Sequence, residues 1–188
     1  AYGLQQAKIV GPENVFDYTL GNPSIPAPAK VQQSIKDILD DTDSIKIHGY
    51  SMAGGFDETR EAIAANLNKR FGTDIKPSNL FVTCGAAPGL ISAIKALVAD
   101  EKSEIMAVAP FFPEYRPFIT KNGGNLVVVP ADREHFQIDL AKVEELITEH
   151  TQAIIINSPN NPSGVVYTKE TLEALAAILT KKGEEFGH

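Results

Sequence analysis

The chain has 188 residues, 43% hydrophobic and 22% charged, with a formal net charge of -7 from 17 basic and 24 acidic side chains. This is the balance of a soluble globular protein with one core, and the scattered Lys and Arg residues of an acidic chain argue against a nucleic-acid surface. No apolar run reaches the roughly 20 residues of a membrane span, and the start lacks the charged and apolar regions of a signal peptide.

A Pro-rich lead-in at Pro23, Pro26 and Pro28 precedes a helical spacing of Val31, Ile35, Ile38 and Leu39, which predicts a helix over 27–40. A second helix is predicted from Asp57, as N-cap, to Phe71, with Ile63 and Leu67 on one face and Gly72 as its stop. Strands are then predicted at 80–83, 105–109, 126–129 and 153–156, alternating with helices at 87–99, 113–122, 140–150 and 169–182. The last helix has Thr168 as N-cap and Gly183 as C-cap. Short, wholly apolar strands alternating with helices predict an α/β fold, a three-layer α-β-α arrangement whose mainly parallel sheet is covered on both faces. The chain opens on Ala1 rather than a methionine and stops just past a helix whose next partner is expected to be a strand, so it reads as a piece of a longer protein.

Several residues that could carry chemistry have plainer readings. Cys84, the single cysteine, excludes an internal disulfide, fits a reducing cytoplasm, and reads as a small core residue. His48, His135, His150 and His188 show no metal-ligand spacing. Asp37, Asp40, Asp41 and Asp43 read as a solvated acidic helix end. Ser92 and Lys95 match a Ser-x-x-Lys pattern, but they lie within an amphipathic helix and the companion Ser-Asp-Asn and Lys-Thr-Gly motifs are absent.

Three loops at predicted strand ends are more informative, because ligands of open α/β sheets bind beyond the C-terminal ends of the strands. After 80–83, the small, uncharged run Gly85-Ala86-Ala87 leads into a helix; its backbone N–H groups and the helix dipole suit a phosphate, while the alternative is an ordinary strand-to-helix turn. After 105–109, Phe111 and Phe112 are either core or a flat surface for a planar cofactor. After 153–156, Ser158-Pro159-Asn160-Asn161-Pro162-Ser163-Gly164 is a rigid loop that would hold an Asn amide in one direction.

Together these loops resemble the fold-type I pyridoxal-phosphate enzymes, specifically the class I/II aminotransferases, over almost the whole chain. Leu20-Gly21-Asn22-Pro23 resembles that family's opening segment. Tyr50, Gly55 and Arg60 resemble its Tyr-x4-Gly-x4-Arg element, and Asn161-Pro162-Ser163-Gly164 its Asn-Pro-Ser/Thr-Gly signature. The resemblance implies pyridoxal 5'-phosphate as cofactor and a set of site residues. Gly85, Ala86 and Ala87 would present N–H groups to the phosphate, Phe112 would stack on the pyridine ring, and Asn161 would donate to the ring's 3'-oxygen. Gly21 would lie near the substrate carboxylate, and Tyr50 would reach the cofactor phosphate of the partner subunit in a homodimer. Implied too are amino-acid and 2-oxo-acid substrates, a cytoplasmic location, and no nucleic-acid or membrane partner.

No lysine of this chain matches the family's Schiff-base lysine, so the resemblance implies no catalytic residue here and no activity for 1–188 alone. It also implies that 1–26 belong to an N-terminal segment and 27–188 to the first half of the large cofactor-binding domain, incomplete at its C-terminal side. A lyase or condensing enzyme on the same cofactor shares these early motifs, as does the aminotransferase-like sensing half of a transcription regulator.

Overall fold

A computed structural model of the chain describes residues 2–16 and 25–187. Two compact units are present, Ala1–Met52 and Ala53–His188, and the boundary read from the sequence at residue 26 falls within the first. The first unit is helical: α1 (Tyr2–Val10), a 3-10 turn at Pro12–Asn14, α2 (Ala29–Asp41) and α3 (Ser44–His48). The five-residue α3 is too short to show a period in sequence, and its start depends on Asp43, whose carboxylate accepts from the Ile45 N–H at 2.9 Å.

The second unit carries the sheet. Its order is α4 (Asp57–Phe71), a 3-10 turn at Pro77–Asn79, α5 (Ala86–Leu97), β1 (Glu104–Val108), α6 (Tyr115–Thr120), β2 (Asn125–Val129), α7 (Leu140–Leu146), β3 (Thr151–Ile155) and α8 (Lys169–Phe186). The strands pair in parallel in the order β2-β1-β3, with Ile105 opposite Leu126 on one side and Ala153 on the other. Alternate residues of β1 enter two cores. Met106 and Val108 pack with Val129, Val143 and Leu175 beneath α7 and α8, while Ile105 packs with Ile94 and Ile119 beneath α5 and α6. The expected three-layer arrangement around a parallel sheet is therefore present, and side-chain alternation along the central strand builds it.

The predicted strand at 80–83 does not form. An extended segment becomes a strand when a neighbour takes its N–H and C=O groups, and among the described residues no strand lies beside it. Val82 instead donates its N–H to the Gly54 carbonyl at 3.1 Å. Among the described residues the outer edge of β3 is likewise unpaired, and an apolar groove of about 300 Å³ lined by Leu90, Leu97, Ala153 and Ile155 runs along it. Cys84 is exposed rather than a core residue, because it sits in the bend after this unpaired segment.

Helix ends also moved from their expected places, for local reasons. The helix expected over 140–150 stops at Leu146, where hydroxyls take over the backbone: the Thr148 N–H goes to Thr151 Oγ1 at 3.0 Å and the His150 N–H to Thr148 Oγ1 at 3.1 Å. Gly183 does not cap α8; the helix runs on to Phe186 and Gly187 takes the left-handed conformation, at φ 81°. Thr168 caps its start as expected, accepting from the Thr171 N–H at 3.1 Å. Asp57 is the first residue of α4 rather than its cap and pairs with Arg60, while Gly72 ends that helix in the left-handed conformation, as expected.

Candidate functional site

β1 and β3 are adjacent and parallel, so the loops that follow them leave the same edge of the sheet. Six residues connect α5 to β1, and Ile94, near the end of α5, packs on Ile105, near the start of β1. The helix therefore runs back along the sheet and its N-terminus faces that same edge. Three sequence-predicted elements thus meet at one end of the sheet: the start of α5, the Phe111-Phe112 turn and the loop 157–164.

The start of α5 is a bare helix end. Gly85 is the N-cap residue at φ 93°, ψ 177°, a backbone region essentially confined to glycine, and no side chain caps the helix. Thr83 holds it there from both sides: the Gly85 N–H donates to the Thr83 carbonyl at 2.8 Å, and Thr83 Oγ1 donates to the Gly85 carbonyl at 2.7 Å. The first N–H groups of an α-helix have no intrahelical acceptor and carry the positive end of its dipole. Ala86 and Ala87 are exposed, and a Cβ built at Gly85 would meet no atom within 4 Å, so the space before these N–H groups is open. Such a cradle fits a phosphate.

The Tyr-Gly-Arg element of the sequence has a structural explanation in its latter two members. Gly55 lies at φ 92°, and a Cβ there would come within 2.8 Å of Val82, so glycine is required twice over. Arg60 Nη1 donates to the Pro77 carbonyl at 3.3 Å. Gly55 and Arg60 thus brace the extended segment that leads to Gly85. Tyr50, in the first unit, is fully exposed. Gly21 lies outside the described residues.

After β1, the Phe112 ring meets Tyr115 edge-on, with centroids 5.7 Å apart and planes at 79°, while Phe111 stacks on Tyr115 at 6.2 Å. Tyr115 is buried, so both phenylalanines rest on a fixed ring and remain half-exposed themselves. Burial pushes the Tyr115 phenol above its ordinary value. Burial does the same to Tyr167, partly opposed by a hydrogen bond from Asn160, and the nearby Tyr115 raises it a little further.

The loop after β3 assigns its two asparagines opposite tasks. Asn160 is buried and tied on every side: Nδ2 donates to Tyr167 Oη at 3.3 Å, while Oδ1 accepts from the Ser163 N–H at 3.2 Å and Ser163 Oγ at 2.9 Å. Its main chain closes the turn, donating to Val165 O and accepting from Gly164 N, both at 2.8 Å. Asn161 is exposed, and its N–H is held by Asn157 Oδ1 at 2.8 Å. Sequence reasoning missed Asn157, Tyr167 and Thr83. The one legible signal among them was an Asn four residues before another in a loop, since Asx side chains often bond backbone a few residues away. Among the described residues, no group of three or more His, Cys, Asp or Glu side chains could hold a metal ion, and no helix is long and apolar enough to cross a membrane.

Comparison with known proteins agrees with this geometry. Residues 13–184 match the family described as aminotransferase class I and II. The chain is 37% identical to an aspartate aminotransferase of Thermotoga maritima, over 90% of its own length and 44% of that protein. It is 38% identical to a probable aspartate aminotransferase of Methanocaldococcus jannaschii, over 85% of its length and 41% of that protein. An aminotransferase crystal structure from Eubacterium rectale superposes with a TM-score of 0.97 at 51% identity, covering 100% of this chain and 47% of that one. The chain thus spans less than half the length of these relatives.

Proposed function

Because the chain belongs to the aminotransferase class I and II family, we propose that the protein carrying it is a pyridoxal-phosphate-dependent aminotransferase that moves an amino group between an amino acid and a 2-oxo acid. The observation that carries this reading is the open, uncapped N-terminus of α5 at the same sheet edge as the exposed Asn161. Bound pyridoxal phosphate would supply the electron sink that lets an amino acid lose its Cα proton.

The residues present fit that group. The N–H groups of Ala86 and Ala87 would bind the phosphate dianion beside Gly85, whose own N–H is taken by the Thr83 carbonyl, and the helix dipole, about half a positive charge, adds to them. Phe112 would cover one face of the ring, orienting it and excluding water, with Tyr115 as its rigid backing. Asn161 would donate to the ring oxygen, favouring its deprotonated form and so lowering the proton affinity of the site. Gly21 would leave room for the substrate carboxylate.

Tyr50 would reach the phosphate site of a partner subunit in a homodimer. In support, its ring is fully exposed, and α2 presents Val31, Ile35, Ile38 and Leu39 half-exposed on one face. A cytoplasmic location belongs to the same reading and rests on the single cysteine, which allows no internal disulfide. Residues 1–188 lack a lysine in the family's context, so the cofactor's lysine and the amino-group transfer itself would require sequence beyond them.

The test uses the complete gene product. With added pyridoxal phosphate it is expected to develop visible absorbance that borohydride fixes onto a lysine outside 1–188, and to convert amino acid plus 2-oxo acid into the exchanged pair. A protein that stays colourless with saturating cofactor refutes the reading. Residues 1–188 expressed alone are expected to show no transfer, and measured turnover would overturn that part.

A further inference from the structure

Each backbone N–H of the turn 160–165 has an assigned acceptor, and all but one stay within the turn, Val165 N going to Ser163 Oγ at 3.4 Å. Asn160 N goes to Val165 O, Ser163 N to Asn160 Oδ1 and Gly164 N to Asn160 O, while Pro162 has no N–H. The exception is Asn161 N, which leaves the turn for Asn157 Oδ1 at 2.8 Å, at the C-terminal end of β3. The buried Asn160 side chain already anchors the turn to the protein body through Tyr167, and braces it internally through Ser163. The contact from Asn157 is therefore not what holds the turn in place. It fixes the plane of the 160–161 peptide relative to the strand end, and that plane, together with the φ of Asn161, sets the direction of the Asn161 Cα–Cβ bond.

We propose that Asn157 is a positioning residue: acting through the Asn161 N–H, it aims the Asn161 amide at the ring oxygen of pyridoxal phosphate. This rests on the function proposed above. A hydrogen bond weakens steeply once its angle falls below about 120°, so a peptide free to tip spends part of its time with the amide off target. Asn157 would then influence the proton affinity of the cofactor site without touching the cofactor.

The complete gene product loaded with pyridoxal phosphate provides the test, read as the pH midpoint of the cofactor's visible absorbance change, with urea denaturation alongside. Asn161→Ala removes a donor to the deprotonated oxygen and is expected to raise the site's proton affinity about ten- to a hundredfold. Asn157→Ala is expected to raise it by a smaller factor, about three- to tenfold, in the native background and not at all in the Asn161→Ala background, since contacts that act through one residue are non-additive. Asn157→Ser, too short to reach, substitutes if the alanine form does not fold.

If Asn161→Ala leaves the midpoint unmoved, the reading of Asn161 fails and the proposal with it. If Asn161→Ala moves the midpoint and Asn157→Ala does not, the proposal alone fails. It also fails if Asn157→Ala only lowers the urea midpoint, or shifts the pH midpoint equally in both backgrounds.

Discussion

Replacing Asn160 by alanine should destabilise the protein more than any other change in the loop after β3, although Asn160 is proposed to touch neither cofactor nor substrate. The substitution deletes three side-chain hydrogen bonds, at 3.3, 3.2 and 2.9 Å, from a residue that is 8% exposed. At a net value of about 1 kcal/mol each the loss is about 3 kcal/mol. Two effects adjust this in opposite directions. Ser163 is exposed, so water can replace part of what it loses, whereas Tyr167 is 5% exposed and its hydroxyl is left without its donor. The range is then about 2–4 kcal/mol.

Tyr167→Phe removes only one of the three bonds and should cost about 1 kcal/mol. The double variant should fall short of the sum by about 1 kcal/mol, because both changes delete the same bond. Urea denaturation of the complete gene product measures all three, as a fall in midpoint at constant slope. An Asn160→Ala protein within about 0.5 kcal/mol of the parent, or additivity of the two single changes, would refute the account of Asn160 as the anchor of this turn.

Gly85→Ala should cost about 1–3 kcal/mol from backbone strain alone, since its Cβ meets nothing, and should also weaken pyridoxal phosphate binding in equilibrium dialysis. Gly123→Ala, at φ 91° with equally open surroundings, is the control expected to share the strain and leave binding unchanged. Leu175→Ala, which empties a 3% exposed position beneath the sheet, should cost about 2–5 kcal/mol, and Leu179→Ala, 37% exposed, under about 1 kcal/mol, both read by urea denaturation. Burial raises the phenols of Tyr115 and Tyr167, so their contribution is fully present below the unfolded tyrosine value of about 10 and is lost as pH rises through the folded values. The urea midpoint should therefore fall as pH rises above about 10, and less so in Tyr167→Phe; parallel curves would contradict this.

Much of this was legible in the chain because it is local. The parallel pairing of β1, β2 and β3, though not their order, follows from short apolar runs separated by helical patterns, and Thr168 and Gly72 announce their helix ends by chemistry that needs no distant partner. The family emerged the same way, from Gly55, Arg60, the run at Gly85 and the loop at Asn161, each a short motif in fixed order. Where Gly183 was expected to cap and Gly187 did, two local signals competed and one more turn of helix prevailed.

What the sequence determined by itself, then, was the layer architecture and the family, because periodicity and motif chemistry are properties of neighbours along the chain. Tertiary structure decided the rest. Whether 80–83 becomes a strand depends on a neighbour that no described residue supplies, and Cys84 follows that segment into solvent. The division of labour between Asn160, buried against Tyr167, and Asn161, exposed on Asn157, was set by which of two identical side chains finds partners in the fold. These partners lie only seven and four residues away, but which asparagine is buried and which is exposed is decided when the turn packs on the rest of the fold.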